Sequence, residues 1–400
     1  MKLTLRSSVS GLWTPNLILL ASATFLVCFG QGLFGGVRTN FFIDTLGLTG
    51  GQVLWLEGIR EIPGLALMFI AAAVMHLPLA WQTAAYTLIM GLGYGLQATV
   101  GSYSALIAMA LVASLGMHGW MPLNNALAMS LTTKDKSGRV LGAISSVTAM
   151  ASIVGMGVVA ITTRLTGDIS LRLYFAIGGG LIVLGAFLIA RLPRDVGSTG
   201  AIQPRMLLSR RYWLYYVLTF LEGSRKQVLG TFTSLVLVDR HSFEVWEISL
   251  LLLISSVVNF VSAPWLGRLL DTYGERSTLT VSYVLLALCC VGCAVVQSAW
   301  VLSVLVILIH LLLILGMGLS TYVNRVAPPE ELAPTLSAGI SINHVTSVGM
   351  PLVAGLLLPL VQYSGIFWGT AAIILLSVPF TLAIRATPLC ARELAPAAAK

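Results

Sequence analysis

Charged side chains occur at helical spacing inside two apolar stretches of this sequence. Glu57, Arg60 and Glu61 stand at positions i, i+3 and i+4, and the stretch 222–226 repeats that spacing. Residues so spaced share one face of a helix. An ionisable side chain at the centre of a bilayer costs about 2.5–3.5 kcal/mol, and such side chains occur where they face a protein interior or a water-filled cavity. The pattern therefore predicts a polar cavity within a membrane protein.

This cavity would need groups that bind a solute and groups that carry protons. The basic side chains outnumber the acidic ones by one and favour an anionic or zwitterionic solute; they are Arg38, Arg60, Arg225 and Lys226. Because carboxyl groups can gain and lose a proton, we predict the proton-coupling group among Glu57, Glu61 and Glu222. Polar side chains in the same apolar stretches are further candidate solute ligands: Gln31, His118, Asn124, Gln227, Asn259 and His344.

The first charged group lies at mid-membrane depth. It follows the predicted N-cap Thr49 by about ten residues, or roughly 15 Å at ~1.5 Å per residue, in a hydrocarbon core of about 30 Å. Pro63 lacks an N–H and leaves the carbonyl of Ile59 without its helical partner. Broken helices at this depth are where transporters form their sites. The alternative is that the charges only form ion pairs, Glu57–Arg60 and Glu222–Lys226, that hold helices together.

The composition excludes several classes of protein. Of 400 residues, 57% are apolar and only 10% are charged, whereas soluble domains carry about 25% charged residues. No Gly-rich phosphate loop and no His-Glu-x-x-His or Gly-x-Ser-x-Gly motif occurs, so we predict neither an enzyme nor a cofactor. Cys290 and Cys293 lack a second cysteine pair and are assigned to packing, so no metal site is predicted.

Apolar runs long enough to span a bilayer number twelve, and they predict an all-α integral membrane protein. They cover 14–42, 50–75, 80–98, 102–131, 139–163, 170–191, 211–238, 245–270, 277–298, 300–324, 335–360 and 364–384. The one long connection, 192–210, predicts a cytoplasmic linker between two six-helix bundles, 1–191 and 211–400.

The loop charges predict that both termini are cytoplasmic. With that orientation 16 Lys and Arg residues lie inside, and only Arg164, Arg172 and Arg240 lie outside. This asymmetry satisfies the positive-inside rule. The net charge of +8 is thereby assigned to a membrane surface and its lipids, and not to nucleic acid. We expect a monomer in a bacterial inner membrane.

One spacing pattern suggests an internal repeat, and one segment resembles a known family. Gln31 precedes Trp55 by 24 residues, as Glu222 precedes Trp246. At the inner end of the eighth span the sequence 267–276 reads Gly-Arg-Leu-Leu-Asp-Thr-Tyr-Gly-Glu-Arg. This segment, with the twelve spans and the central linker, resembles the major facilitator superfamily. In that family the segment is thought to hold the transporter in one state, and the resemblance implies that role for a gate motif of Gly267, Asp271, Gly274 and Arg276.

The resemblance implies a secondary active transporter that works by alternating access. The corresponding loop of the first half, 75–81, lacks both Asp and Arg, and the fifth span lacks the Gly-Pro signature of drug exporters. These departures favour a proton-coupled symporter of a small polar solute. The alternatives are an efflux or amphiphile transporter of the same fold, and a membrane assembly or sensor protein that transports nothing.

Overall fold

The computed structural model describes residues 13–66, 77–133, 136–167, 169–196 and 208–385, without the side chains of Gln227 and Pro329. Within these ranges the regular structure is helical, with no strands. Met75 and His76 of the loop between the second and third spans, and most of the predicted linker, fall outside the described residues.

The described part of the N-terminal half contains six helices of ten or more residues. They are α1 Pro15–Asn40, α2 Gly50–Ile59, α3 Leu79–Leu96, α4 Tyr103–Ser130, α5 Ser137–Thr166 and α6 Leu171–Ile189. A π-helical turn, Phe41–Thr45, extends α1. Side-chain oxygens of Thr14, Thr49 and Ser102 accept hydrogen bonds from the first turns of α1, α2 and α4. Each thereby satisfies a backbone N–H that has no partner within the helix.

The C-terminal half contains six more helices. They are α7 Trp213–His241, α8 at 245–273, α9 at 275–295, α10 from Ala299 to Val326, α11 at 329–361 and α12 at 363–382. A 3-10 turn, Ile314–Gly316, interrupts α10. Gly274, with φ 73°, separates α8 from α9, and Gln362, with φ 58°, separates α11 from α12.

Seven helical stretches of the described chain are long and apolar enough to cross a membrane. Two of them, Val245–Val295 and Glu330–Leu382, each contain the two helices separated above. Each predicted span is matched by a described helix, although the second span, 50–75, is described only as far as residue 66. The predicted all-α membrane architecture is therefore confirmed, while the exact domain boundaries stay a prediction.

Equivalent helices of the two halves pack through equivalent glycines. Gly32 on α1 lies against Gly155 on α5, and Gly223 on α7 lies against the backbone of Asn343 on α11. Gly32 and Gly223 are the positions that the repeat aligns. A side chain at either site would overlap the neighbouring backbone, so these glycines allow the two helices to approach closely.

The two halves meet on the side of the molecule where α1 ends and α2 begins. Gly58 on α2 faces the carbonyl of Val348 on α11. The side-chain amide of Asn40 donates to the carbonyl of Phe243 at 2.8 Å, and the hydroxyl of Ser249 donates to the carbonyl of Gly36 at 2.9 Å. These contacts close that side of the molecule, which we call the closed side.

Candidate functional site

A cavity of about 510 Å³ lies between the halves, bounded by α2 and α4 from one half and by α7, α10 and α11 from the other. The ionisable groups that line it are Arg60, Glu61, His118, Glu222, Lys226 and His344. Tyr215 and Gly339, near the starts of α7 and α11, also line it. The cavity therefore extends from the end of α2 away from the closed side.

The second helix is broken where it meets this cavity. Regular α-helix ends at Ile59, and the N–H of Gly64 bonds to the carbonyl of Glu61 at 3.1 Å. The carbonyl of Arg60 instead accepts a hydrogen bond from the hydroxyl of Ser114 on α4. The break that Pro63 predicts is thus present, and it turns Arg60 and Glu61 toward the cavity.

A chain of alternating charges runs from α1 into the cavity. Glu57 is 1% exposed, and its two carboxylate oxygens lie 3.5 Å from Arg38 and 2.7 Å from Arg60. Arg60 also lies 3.8 Å from Glu61. The predicted Glu57–Arg60 ion pair is therefore formed, and Glu57 is held between two arginines. Arg38 reaches Glu57 and does not line the cavity.

Two histidines from opposite halves meet at Glu61. Its Oε2 lies 3.5 Å from Nε2 of His118 on α4 and 3.3 Å from Nδ1 of His344 on α11. The His118 Nδ1 lies 2.9 Å from the carbonyl of Ser114. These three side chains carry nitrogen and oxygen donor atoms that lie within 4.8 Å of one another and could hold a metal ion.

The three charged residues of α7 do not all face the cavity. Glu222 and Lys226 line the cavity, but no ion pair within 4.0 Å joins them, and none involves Glu222 among the residues that the structure describes. The predicted Glu222–Lys226 pair is therefore wrong for this conformation. Glu222 presents its carboxylate to the cavity without an ion pair within 4.0 Å to any described residue.

Arg225 does not line the cavity, so its prediction as a solute ligand is corrected. Its side chain is 2% exposed, its guanidinium lies 3.8 Å from the ring centre of Tyr283 on α9, and it bonds to Ser377 on α12 at 3.5 Å. Successive residues of a helix are turned by about 100°. Arg225 therefore points into the C-terminal half while the next residue, Lys226, faces the cavity.

Asn124 and Gln31 are also corrected, because both hold helices of the N-terminal half together. Asn124 is buried, and its side-chain oxygen accepts from Thr24 on α1 at 3.3 Å. The amide of Gln31 contacts the sulfur of Met90 on α3 at 3.5 Å. Asn259 is half-buried on α8 and is not among the cavity-lining residues. The side chain of Gln227 is outside the described part of the chain.

Sequence reasoning missed several residues of the site, and two of them show why. Ser114 supports both Arg60 and His118, and Tyr215 contributes the aromatic side chain of the cavity lining. Ser114 precedes His118 by one helical turn, so its spacing could have indicated the contact. Tyr215 carries no comparable signal, because aromatic residues are common in membrane helices.

The gate motif lies at the opposite end of the molecule from the closed side. Gly274 adopts φ 73° and ψ 167°, and forms the sharp turn between α8 and α9. Asp271 and Arg276 are exposed, and neither forms an ion pair with any described residue. Glu275 is the buried member, and it pairs with Arg325 on α10 at 2.6 Å. In this conformation the Asp and Arg of the motif therefore make no ion pair with the described part of the other half.

Comparisons with known proteins agree with this fold. The family model of the Major Facilitator Superfamily matches residues 20–324 and, in a second match, 247–398. The multi-drug resistance efflux pump PmrA homolog of Lactococcus lactis subsp. lactis (strain IL1403) is 22% identical, over 92% of this chain and 94% of its own. The multidrug resistance protein MdtG of Serratia proteamaculans (strain 568) is 25% identical, over 73% of this chain and 74% of its own.

Solved structures share the same architecture. The crystal structure of the nucleoside transporter NupG, in a mutant form, superposes with a TM-score of 0.77 at 17% identity, over 93% of this chain and 100% of that chain. A bacterial homolog of the human lysosomal transporter Spinster, in an inward-facing and occupied conformation, superposes with a TM-score of 0.70 at 14% identity, over 93% and 98%. At these identities the likeness shows the fold alone.

Proposed function

The chain belongs to the Major Facilitator Superfamily and is a membrane transporter, and we propose that it carries a small anionic or zwitterionic solute together with a proton by alternating access. The observation that supports this proposal is the cavity between the halves, into which each half contributes one cation and one carboxylate. These are Arg60 and Glu61 from α2, and Lys226 and Glu222 from α7.

The charge balance of the cavity favours joint binding of an anion and a proton. With neutral histidines the two cations and two carboxylates sum to zero. Protonation of one carboxyl group leaves one positive charge in excess, and an anionic solute restores neutrality. Because an unbalanced charge is costly in a poorly solvated cavity, the anion and the proton each favour the binding of the other. A zwitterion can instead place its two charges against the opposite charges of the walls.

Glu222 is our candidate for the carboxyl group that carries the proton. Glu57 contacts two arginines, so its protonation would break two ion pairs. Glu61 contacts Arg60 and two histidines. Glu222 lines the cavity with no ion pair to a described residue, so it can gain or lose a proton without breaking one.

The contacts between the halves support alternating access. The glycine contacts and the hydrogen bonds from Asn40 and Ser249 join them on the closed side. If the termini are cytoplasmic, as the loop charges predict, this conformation is open to the cytoplasm. Rocking the halves would separate those contacts and bring the exposed gate motif into contact with the opposite half.

Efflux of charged, drug-like solutes is the second candidate, because both curated relatives carry names of multidrug resistance proteins. The cavity provides some apolar surface for such a solute through Met117, Met121, Leu319 and Ile340. The six ionisable side chains that line it favour the first candidate. Binding of ethidium, a cationic aromatic probe, would indicate efflux of drug-like solutes, whereas binding of carboxylates or amino acids would indicate the first candidate.

The test begins with thermal unfolding of the purified protein in the presence of carboxylates, amino acids, nucleosides and ethidium. A ligand that binds the native state raises the midpoint by mass action. Each stabilising compound is then measured as uptake into proteoliposomes with and without an imposed proton gradient. We expect a carboxylate or amino acid to accumulate when the gradient and the solute run in the same direction.

Glu222→Gln separates coupling from transport. We expect this variant to keep solute exchange across the membrane and to lose its response to the proton gradient. Glu330→Gln is the matched control, because Glu330 is exposed at the start of α11 and does not line the cavity. If Glu222→Gln responds to the gradient like the wild type, Glu222 is not the coupling group. If no compound moves under any gradient, the transport proposal is wrong.

A further inference from the structure

We infer that Glu61, His118 and His344 form a binding site for a divalent transition-metal ion, with one coordination position open to the cavity. Two imidazoles and one carboxylate are ligands that Zn²⁺ and its first-row neighbours accept. This inference does not rest on the proposed solute or on proton coupling. It concerns three side chains and can be tested without transport.

The spacing of the ligand atoms fits metal coordination. In a tetrahedral zinc site with bonds of about 2.0–2.2 Å, neighbouring ligand atoms are about 3.3–3.6 Å apart. Oε2 of Glu61 lies 3.5 Å from Nε2 of His118 and 3.3 Å from Nδ1 of His344. The ligand nitrogens of His118 and His344 lie within 4.8 Å of each other, so the two imidazoles would rotate toward each other as the ion binds.

His118 is oriented as a metal ligand. Its Nδ1 lies 2.9 Å from the backbone carbonyl of Ser114, so the hydrogen on Nδ1 is donated to that oxygen. The lone pair of Nε2 is then directed at Glu61 and at the ion position. A hydrogen bond from the second ring nitrogen to a carbonyl is the usual support of a metal-bound histidine.

His344 has a nitrogen that needs a partner. Its Nδ1 is buried and makes no hydrogen bond to any described residue, although it lies 3.3 Å from Glu61. Burying a polar atom without a hydrogen-bond partner is unfavourable. A metal ion bound between Nδ1 and the carboxylate would satisfy it.

Gly64 leaves room for both imidazoles. A Cβ at this position would lie 2.7 Å from a ring carbon of His118 and 2.7 Å from a ring carbon of His344. The missing side chain at Gly64, after the break in α2, is therefore what lets histidines from α4 and α11 reach the same carboxylate.

The surrounding charges indicate what the open position would bind. Arg60 lies 3.8 Å from Glu61, but its closer contact is Glu57 at 2.7 Å. Glu61 is the anionic member of the three ligands, so a bound divalent ion leaves the site with one positive charge. The open position then favours an anionic group such as a carboxylate. Since the ligands come from both halves, the ion would also stabilise this conformation over one in which the halves have rocked apart.

The experiment is calorimetric titration of Zn²⁺ into the metal-free protein, purified with an affinity tag that contains no histidine. Mg²⁺ serves as a hard-cation control, and Co²⁺ as a probe whose visible absorption reports nitrogen ligation. We expect one Zn²⁺ per chain, no comparable binding of Mg²⁺, and a Co²⁺ spectrum that Zn²⁺ displaces.

Three variants test the ligands, namely Glu61→Gln, His118→Gln and His344→Gln, and each should weaken Zn²⁺ binding by about tenfold or more. His241→Ala is the matched control, because His241 lies at the far end of α7. Thermal unfolding without metal establishes that each variant is folded. Ser114→Ala removes a hydroxyl that lies 3.1 Å from Nδ1 of His118 and bonds to the carbonyl of Arg60, so it should weaken binding even if a ligand variant fails to fold. The inference is overturned if the wild type binds no Zn²⁺, if all folded ligand variants bind it like the wild type, or if His241→Ala abolishes binding.

Discussion

Replacing Glu57 with Gln would leave two arginines at mid-membrane depth without their shared carboxylate. Glu57 is 1% exposed and lies 2.7 Å from Arg60 and 3.5 Å from Arg38. Removing one member of a buried ion pair costs about 3–5 kcal/mol. The side chains of Arg38 and Arg60 are 26% and 16% exposed, so water can solvate part of the released charge. We therefore expect Glu57→Gln to lower the free energy of unfolding by about 2–3 kcal/mol.

Glu222→Gln is the matched comparison for this effect. It makes the same chemical change in a membrane helix, but Glu222 has no ion pair to a described residue. Its cost in stability should stay below about 1 kcal/mol. The double variant Glu57→Gln with Arg60→Gln should be more stable than the sum of the single changes, because residues in direct contact couple.

Reversible unfolding in mixed detergent micelles measures these differences. The expected order of stability is wild type, then Glu222→Gln, then Glu57→Gln. If Glu57→Gln is as stable as Glu222→Gln, the two arginines do not depend on Glu57, and the chain of charges is not a structural element. If the double variant shows no coupling, the 2.7 Å contact with Arg60 contributes nothing measurable.

Two further predictions use neighbouring residues as their own controls. Arg225→Gln should destabilise the fold without changing solute affinity, because Arg225 packs on Tyr283. Lys226→Gln should instead weaken solute binding with little loss of stability. Thermal unfolding and solute titration distinguish these outcomes, and equal effects of the two variants on both measurements would contradict the assignment. Gly274→Ala should lower stability by about 1–3 kcal/mol, because φ 73° with ψ 167° is accessible essentially to glycine alone. Gly267→Ala, in the same motif but with no atom within 4 Å of a new Cβ, should not, and equal melting temperatures for the two variants would refute the argument.

Much of the architecture could be predicted from local sequence. In lipid, each backbone N–H and C=O must be satisfied within its own helix, so an apolar run of sufficient length identifies a span without knowledge of its neighbours. Thr49 and Pro63 act in the same local way, since a side-chain oxygen caps the helix that follows it and a missing N–H breaks the helix that contains it. For that reason the start and the break of α2 were both readable from sequence.

Only part of the candidate site could be predicted from the sequence. Glu57 and Arg60 pair as predicted because they lie one turn apart on one helix. Arg225 and Lys226 carry the same charge at adjacent positions, yet one packs inside a half and the other lines the cavity. Which direction a side chain takes around its helix depends on which neighbours pack against that helix, and this information is not local.

The sequence by itself determined the membrane-spanning helices, the depth of the charged residues and the excess of basic side chains among them. Tertiary structure alone decided that His118 and His344, from opposite halves, meet at Glu61, and that Asp271 and Arg276 form no ion pair with a described residue in this conformation. The reason is that covalent geometry and the lipid solvent act on each helix separately. Contacts between helices depend on how the two halves are placed against each other, which no single helix specifies.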